Sequence, residues 1–125
     1  MTEAALQDCR ILIAEDEYLI ATDLAEALTQ DNAVILGPVP RVADALSLIE
    51  SGTRIDLAVL DVNLCGDMAF PVADALAAQR IPFAFATGYD GWTIPARFAN
   101  VPRLVKPFRP DRLRSALKSL LPPSR

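Results

Sequence analysis

Histidine is absent from the chain, and its absence excludes several kinds of active site. Without it there is no Ser-His or Cys-His catalytic pair and no histidine-based metal site. Cysteine is scarce as well, since Cys9 and Cys65 have neither the spacing of a zinc site nor the density of a disulfide framework. We therefore expect two reduced thiols, as in the cytoplasm.

Long apolar runs and a surplus of basic residues are also missing. No apolar run approaches the length of about 20 residues that a membrane-spanning helix needs, and the first residues, MTEAALQDCR, lack the basic start of a secretion signal. The 125 residues carry a net charge of −4 and a pI of about 4.7, which disfavours binding to a phosphate backbone. The sequence thus predicts a cytoplasmic protein that binds neither membranes nor nucleic acid.

The sequence does contain short apolar runs that alternate with amphipathic stretches of helical periodicity. Runs of consecutive apolar residues are typical of strands covered on both faces. They lie at residues 11–14, 33–36, 57–60, 83–86 and 104–105. The alternation predicts one α/β domain over residues 1–125, a doubly wound, five-stranded parallel sheet with helices on both faces.

One connection departs from this pattern. Residues 88–103, GYDGWTIPARFANVPR, hold two glycines, two prolines and no continuous apolar face, so we expect a short or disordered fourth helix there. Its aromatic residues Trp92 and Phe98 either form a partner surface or cover the core. Only PPSR follows the last predicted helix, so we expect no output domain on this chain.

Polar residues stand at the ends of four of the predicted strands. Glu15 and Asp16 follow the first strand, Asp61 the third, Thr87 the fourth and Lys106 the fifth. Because the carboxyl ends of parallel strands meet at one edge of a sheet, we expect these side chains to share a site. Three carboxylates so close repel one another, so either their pKa values rise or a cation joins them. Oxygen ligands without histidine or cysteine select Mg²⁺ or Mn²⁺ for such a cation.

The lysine and the hydroxyl predict a phosphoryl group beside that cation. One carboxylate is then free to act as the nucleophile that forms an aspartyl phosphate. Asp61 follows the most apolar run, so we expect it to be the best buried acid and the nucleophile. Asp16 is expected to bind the metal directly and Glu15 through water, while Glu17 is expected to be solvated at a helix start.

Four segments in this order resemble the receiver domain of two-component response regulators: ILIAEDE, LAVLDVNL, FAFAT and LVKPF. The resemblance implies a flavodoxin-like sheet of order 2-1-3-4-5. It implies Asp61 as phosphoacceptor and Thr87 and Lys106 as phosphoryl contacts. Asn63 would lend its backbone carbonyl to the magnesium site, and the peptide before Pro107 would be cis.

The resemblance also implies a function. A single-domain response regulator accepts a phosphoryl group from the phosphohistidine of a sensor histidine kinase or of a phosphotransfer protein. It then signals through a downstream protein, or serves as a relay or phosphate sink, and catalyses only its own phosphorylation and dephosphorylation. The run PFAFATGY further resembles a subgroup named for Phe-Ala-Thr-Gly-Tyr ("FAT GUY"), whose members are often stand-alone and pair with HWE-type kinases.

The chain departs from the family pattern at the switch position. Receivers carry an aromatic residue three positions before the lysine, whereas Arg103 stands there in this chain. Tyr89 and Trp92 are the alternative switch residues, and we assign them with Arg103 and Phe108 to a switch or partner surface. Cys65 stands where most receivers have proline, so the preceding loop is expected to differ in shape.

Two other functions remain open on the residues alone. A small Mg²⁺-dependent phosphatase of the haloacid-dehalogenase type also uses an aspartyl nucleophile, and Asp61 with Asn63 roughly matches its motif, although that nucleophile follows the first strand. A degenerate receiver could instead act as a binding scaffold. The complete set of acids, hydroxyl and lysine favours the phosphorylated receiver.

Overall fold

A computed structural model describes residues 5–88 and 94–121. The main sheet has five parallel strands in the order β2-β1-β3-β6-β7, and β4 and β5 form a small antiparallel ladder. The strands are β1 (Arg10–Ala14), β2 (Val34–Val39), β3 (Leu57–Asp61), β4 (Asn63–Leu64), β5 (Asp67–Met68), β6 (Phe83–Thr87) and β7 (Arg103–Val105). The α-helices in the described residues are α1 (Tyr18–Gln30), α2 (Val42–Glu50), α3 (Phe70–Ala78) and α4 (Pro110–Leu120). This order confirms the predicted sheet, with β6 and β7 as its fourth and fifth strands.

Helices cover both faces of the sheet, as predicted. In β1, Leu12 and Ala14 face the core formed with α2 and α3, whereas Ile11 and Ile13 face the core formed with α1 and α4. The central strands β3 and β6 are buried at every position. The expectation of strands covered on both faces is wrong for β2 and β7, because they are the edges of the sheet and are partly exposed.

The connection between β6 and β7 contains, in its described part, a single 3-10 helix at Ala96–Phe98. Phe98 is buried and packs against Phe70, Phe83 and Phe85, so it belongs to the core rather than to a partner surface. Residues 89–93, and with them Trp92 and Tyr89, lie outside the described residues. None of the described helices is both long and apolar enough to cross a membrane.

A kink in β2 brings the edge of the sheet to the start of the site. Gly37 has a φ of +99°, and a Cβ atom there would lie 2.8 Å from the Val39 nitrogen and 2.9 Å from the Ile13 oxygen. Only glycine fits such a close approach at a positive φ. Beyond the kink, the pairing of β1 with β2 shifts register, and the Val39 carbonyl accepts a hydrogen bond from the Glu15 N–H at 3.0 Å.

Candidate functional site

Asp61 ends the buried central strand β3 and is itself buried, with both carboxylate oxygens held. Lys106 Nζ donates to Oδ2 at 2.7 Å, and the Asn63 N–H donates to Oδ1 at 3.1 Å. A carboxylate with a donor on each oxygen is held in one orientation. Asp61 therefore has the fixed placement that a nucleophile requires, as the sequence predicted.

Lys106 is the cation of the site and not a solvated surface residue, since its side chain is only 11% exposed. Its Nζ lies 2.7 Å from Asp61 Oδ2, 2.8 Å from Glu15 Oε1 and 3.2 Å from Glu17 Oε1. Burial lowers the pKa of Lys106, but the nearby carboxylates of Asp61 and Glu15 outweigh burial and raise the pKa well above its usual value. The residue is therefore a permanent positive charge. The Lys106–Pro107 peptide is cis, as the resemblance implied.

Glu15, and not Asp61, is the best buried acid of the site, so that sequence prediction was wrong. Glu15 is 3% exposed and Asp61 is 7% exposed. The reason is position: Glu15 directly follows β1, which pairs with β2 on one side and β3 on the other, and its Oε1 lies 2.8 Å from Lys106 Nζ. Burial raises the pKa of Glu15 to about 7, while the nearby Lys106 opposes that shift.

Glu17 was expected to be solvated, and the structure shows an additional role. Its side chain is exposed, yet its Oε1 accepts a hydrogen bond from Lys106 Nζ at 3.2 Å. Its backbone N–H donates to Glu15 Oε2 at 3.0 Å. Glu17 thus caps α1 through its backbone only, since its side chain makes no capping bond to the helix.

Asp16 is held by a contact from the β4–β5 hairpin, which follows Asp61 in the chain. Its Oδ2 accepts a hydrogen bond from the Cys65 N–H at 2.8 Å. Cys65 and Gly66 form the turn between β4 and β5, with φ angles of +53° and +91°, and the Cys65 thiol donates to the Pro40 carbonyl. This contact of Cys65 was not predicted, because every residue except proline has a backbone N–H and the residue type therefore does not indicate which N–H donates. The glycine at the turn was the available signal.

The three acids Glu15, Asp16 and Asp61 offer carboxylate oxygens that all lie within 4.8 Å of one another. Glu15 Oε1 is buried, and the Lys106 ammonium lies 2.8 Å from it. One ammonium contacts two buried carboxylates here, while Asp16 remains exposed beside them. An all-oxygen donor set of three carboxylates fits Mg²⁺ or Mn²⁺. The site opens at Asp16 into a groove of about 750 Å³.

The remaining predicted contacts fall around this acidic centre. The sheet register pairs Asp61 with Ala86, so Thr87 lies one residue further along the neighbouring strand. Thr87 is buried, and its hydroxyl donates to the Gly88 carbonyl at 3.1 Å. The Asn63 carbonyl remains a predicted metal ligand, and the amide oxygen of its side chain accepts a hydrogen bond from the Gly66 N–H.

The predicted switch surface is only partly described. Arg103 is exposed on the edge strand β7, and Phe108 is partly buried against the core between α1 and α4. Tyr89 and Trp92 lie outside the described residues. The role of all four residues in switching stays a prediction.

The raised pKa of Glu15 predicts a pH-dependent stability. The folded protein holds a proton on Glu15 up to about pH 7, whereas the unfolded chain releases it near 4.5, so the free energy of unfolding falls as pH rises through this range. The decrease in the free energy of unfolding is at most about 3 kcal/mol, and solvent screening at the partly open site reduces it. Urea unfolding at several pH values with a chelator measures it. In Glu15→Gln, the free energy of unfolding should depend less on pH than in the wild type, whereas the exposed substitution Glu26→Gln should leave the dependence unchanged. An equal pH dependence in the wild type and both variants would contradict the raised pKa of Glu15.

Comparison with known proteins places the chain among receivers. No family model matches it. The solution structure of SdrG from Sphingomonas melonis Fr1 is 46% identical, covers 96% of this chain and 100% of that one, and superposes with a TM-score of 0.82. A response regulator receiver protein from Sinorhizobium medicae is 25% identical, with 92% and 95% coverage and a TM-score of 0.78.

Curated relatives give the same assignment over part of their length. The sensory transduction protein LytT of Bacillus cereus is 33% identical over 114 residues, which are 87% of this chain and 46% of LytT. The transcriptional regulatory protein PdtaR of Mycobacterium tuberculosis is 34% identical over 103 residues, which are 79% of this chain and 50% of PdtaR. The chain thus spans about half the length of these relatives. With its fold, its acidic centre and these relatives in agreement, the chain belongs to the response-regulator receiver family.

Proposed function

We propose that this receiver accepts a phosphoryl group on Asp61 and signals through the resulting change in its protein contacts. The observation that carries the proposal is the position of the Asp61 carboxylate, which contacts the Lys106 ammonium at 2.7 Å and lies in one cluster with Glu15 and Asp16. A nucleophile that contacts a fixed cation and belongs to a cluster suited to a divalent ion is arranged for phosphoryl transfer.

The transfer step is a displacement at phosphorus. A carboxylate oxygen of Asp61 forms a bond to the phosphorus atom as the bond to the donor breaks. With acetyl phosphate the leaving group is acetate; with a phosphohistidine it is the imidazole, which keeps or gains one proton. Lys106 pairs with the phosphoryl oxygens, as its contact with Asp61 Oδ2 supports. Bound Mg²⁺ would neutralise charge on those oxygens.

The signal is proposed to travel through Thr87. Its hydroxyl now donates to the carbonyl of Gly88, the first residue of the connection between β6 and β7. A phosphoryl oxygen on Asp61 is a stronger, charged acceptor, so the hydroxyl would turn toward it and release that carbonyl. The change would alter the start of residues 88–103 and, with the β4–β5 hairpin, the surface offered to a partner.

A phosphorylation assay tests this function. Incubation with acetyl phosphate and Mg²⁺ should add one phosphoryl group per chain, detected by intact-protein mass spectrometry, and mild base should remove it because acyl phosphates hydrolyse readily. A chelator should prevent the addition. No mass gain with any small phosphodonor or with a histidine kinase would contradict the proposal, and addition that survives mild base would show that the group is not an acyl phosphate.

We propose further that the chain belongs to the FAT GUY subgroup and that its donor is a sensor histidine kinase, of HWE type, or a phosphotransfer protein in the cytoplasm. The similarity to SdrG across 96% of this chain supports the subgroup, together with the run PFAFATGY. Another structure, of SdrG from Pseudomonas melonis Fr1 in a BeF3-activated conformation, is 44% identical with a TM-score of 0.73. The chain is proposed to catalyse only its own phosphorylation and dephosphorylation.

A further inference from the structure

Glu17 has a contact that the proposed phosphorylation does not use. Its Oε1 lies 3.2 Å from Lys106 Nζ, and this is the hydrogen bond that its side chain makes within the described residues. The side chain does not cap α1; the helix is closed instead by the Glu17 carbonyl, which accepts from the Ala21 N–H at 2.8 Å. The carboxylate of Glu17 therefore contacts Lys106 and does not cap the helix.

The position of Glu17 makes it the outermost charge of the site. Of the three carboxylates on Lys106, those of Glu15 and Asp61 are 1% and 9% exposed, whereas that of Glu17 is 61% exposed. A phosphodonor must approach from solvent, and it is itself an anion. It therefore meets the negative charge of Glu17 before it reaches Lys106, and it competes with Glu17 for that ammonium.

We propose that Glu17 is a specificity-determining residue that selects against small, free anionic phosphodonors. This inference rests on the proposed phosphorylation of Asp61 and assigns a donor preference to the same site. A protein donor can present a cationic side chain to Glu17 as it docks and so free Lys106 for the phosphoryl group. Acetyl phosphate has no cationic group, so nothing offsets its repulsion by the Glu17 carboxylate.

The second-order rate constant of phosphorylation by acetyl phosphate measures this effect. Glu17→Gln keeps the side-chain size and removes the charge, so at low ionic strength the rate constant should rise about threefold to tenfold. Glu17→Asp keeps the charge and should stay close to the wild type. Glu50→Gln removes an exposed charge at the end of α2, outside the groove at Asp16, and should have no such effect.

Two further readouts separate charge from a structural change. At about 1 M salt, where charges are screened within about 3 Å, the ratio of the Glu17→Gln rate to the wild-type rate should approach one. Phosphoramidate carries less negative charge than acetyl phosphate and should gain less from the substitution. A structural disturbance would change the rate equally with both donors and at all salt concentrations.

The outcomes are distinct. A wild-type protein that takes no phosphoryl group overturns the proposed function and this inference with it. A labelled wild type with an unchanged Glu17→Gln rate overturns the inference alone. So does a gain that persists at high salt, or an equal gain in Glu50→Gln.

Discussion

Replacing Asp61 with asparagine should lower phosphoryl incorporation from acetyl phosphate by about 100-fold or more. The amide has the same shape but is a far weaker nucleophile than a carboxylate. It also removes the negative charge that pairs with Lys106 at 2.7 Å. Intact-protein mass spectrometry after incubation with acetyl phosphate and Mg²⁺ measures the loss.

Asp67→Asn is the matched control for this substitution. Asp67 is an exposed aspartate on β5, in the hairpin that follows Asp61, and lies outside the acidic cluster. The control variant should incorporate phosphoryl at the wild-type rate. Equal labelling of Asp61→Asn and wild type would move the nucleophile to another acid, and equal loss in both variants would point to damage of the hairpin.

Replacing Lys106 with methionine should have the largest effect on stability. The substitution leaves the buried carboxylates of Glu15 and Asp61 without their cation, and removing one partner of a buried pair costs about 3 to 5 kcal/mol. Urea unfolding at pH 8 with a chelator should show this loss in the free energy of unfolding. At pH 5 the loss should shrink, because Glu15, with its raised pKa, then takes up a proton.

Magnesium should reverse much of that loss. A cation that binds only the folded state stabilises it in proportion to its affinity. Because Lys106 and a divalent ion repel each other across the same carboxylates, the variant should bind Mg²⁺ more tightly than the wild type. Lys118→Met, at a lysine that lines a different groove with Arg54 and Pro82, is the control. If Lys106→Met were as stable as the wild type, or bound Mg²⁺ more weakly, the Lys106 ammonium would not be the cation that neutralises Glu15 and Asp61.

The main elements of the site were predictable because parallel strands end at one edge. Runs of consecutive apolar residues marked β1, β3 and β6, and the polar residues that follow each run necessarily meet at the carboxyl edge of the sheet. Glu15, Asp16 and Asp61 lie together for this reason, and Lys106 reaches them from the last strand. The edge strands were less well predicted, because apolar residues alone do not reveal which strand lacks a neighbour.

Other features depended on side-chain reach and backbone direction, which a sequence does not record. Glu15, which has one methylene more than an aspartate, brings its Oε1 to 2.8 Å from Lys106 Nζ and is better buried than Asp61. Cys65 holds Asp16 through its backbone N–H, so its thiol gave no indication of that contact. Glu17 was assigned to solvent because it starts a helix, yet the same position places it within reach of Lys106 from across the sheet edge.

Chemical trapping of the phosphorylated residue tests the central claim most directly. Borohydride reduces an aspartyl phosphate to homoserine, which marks the modified position permanently. After phosphorylation with acetyl phosphate and Mg²⁺, peptide mass spectrometry should find homoserine at position 61 and unmodified residues at Glu15, Asp16 and Asp67. Homoserine at another aspartate, or no reduced residue in a protein that carries the phosphoryl mass, would contradict the assignment of Asp61 as phosphoacceptor.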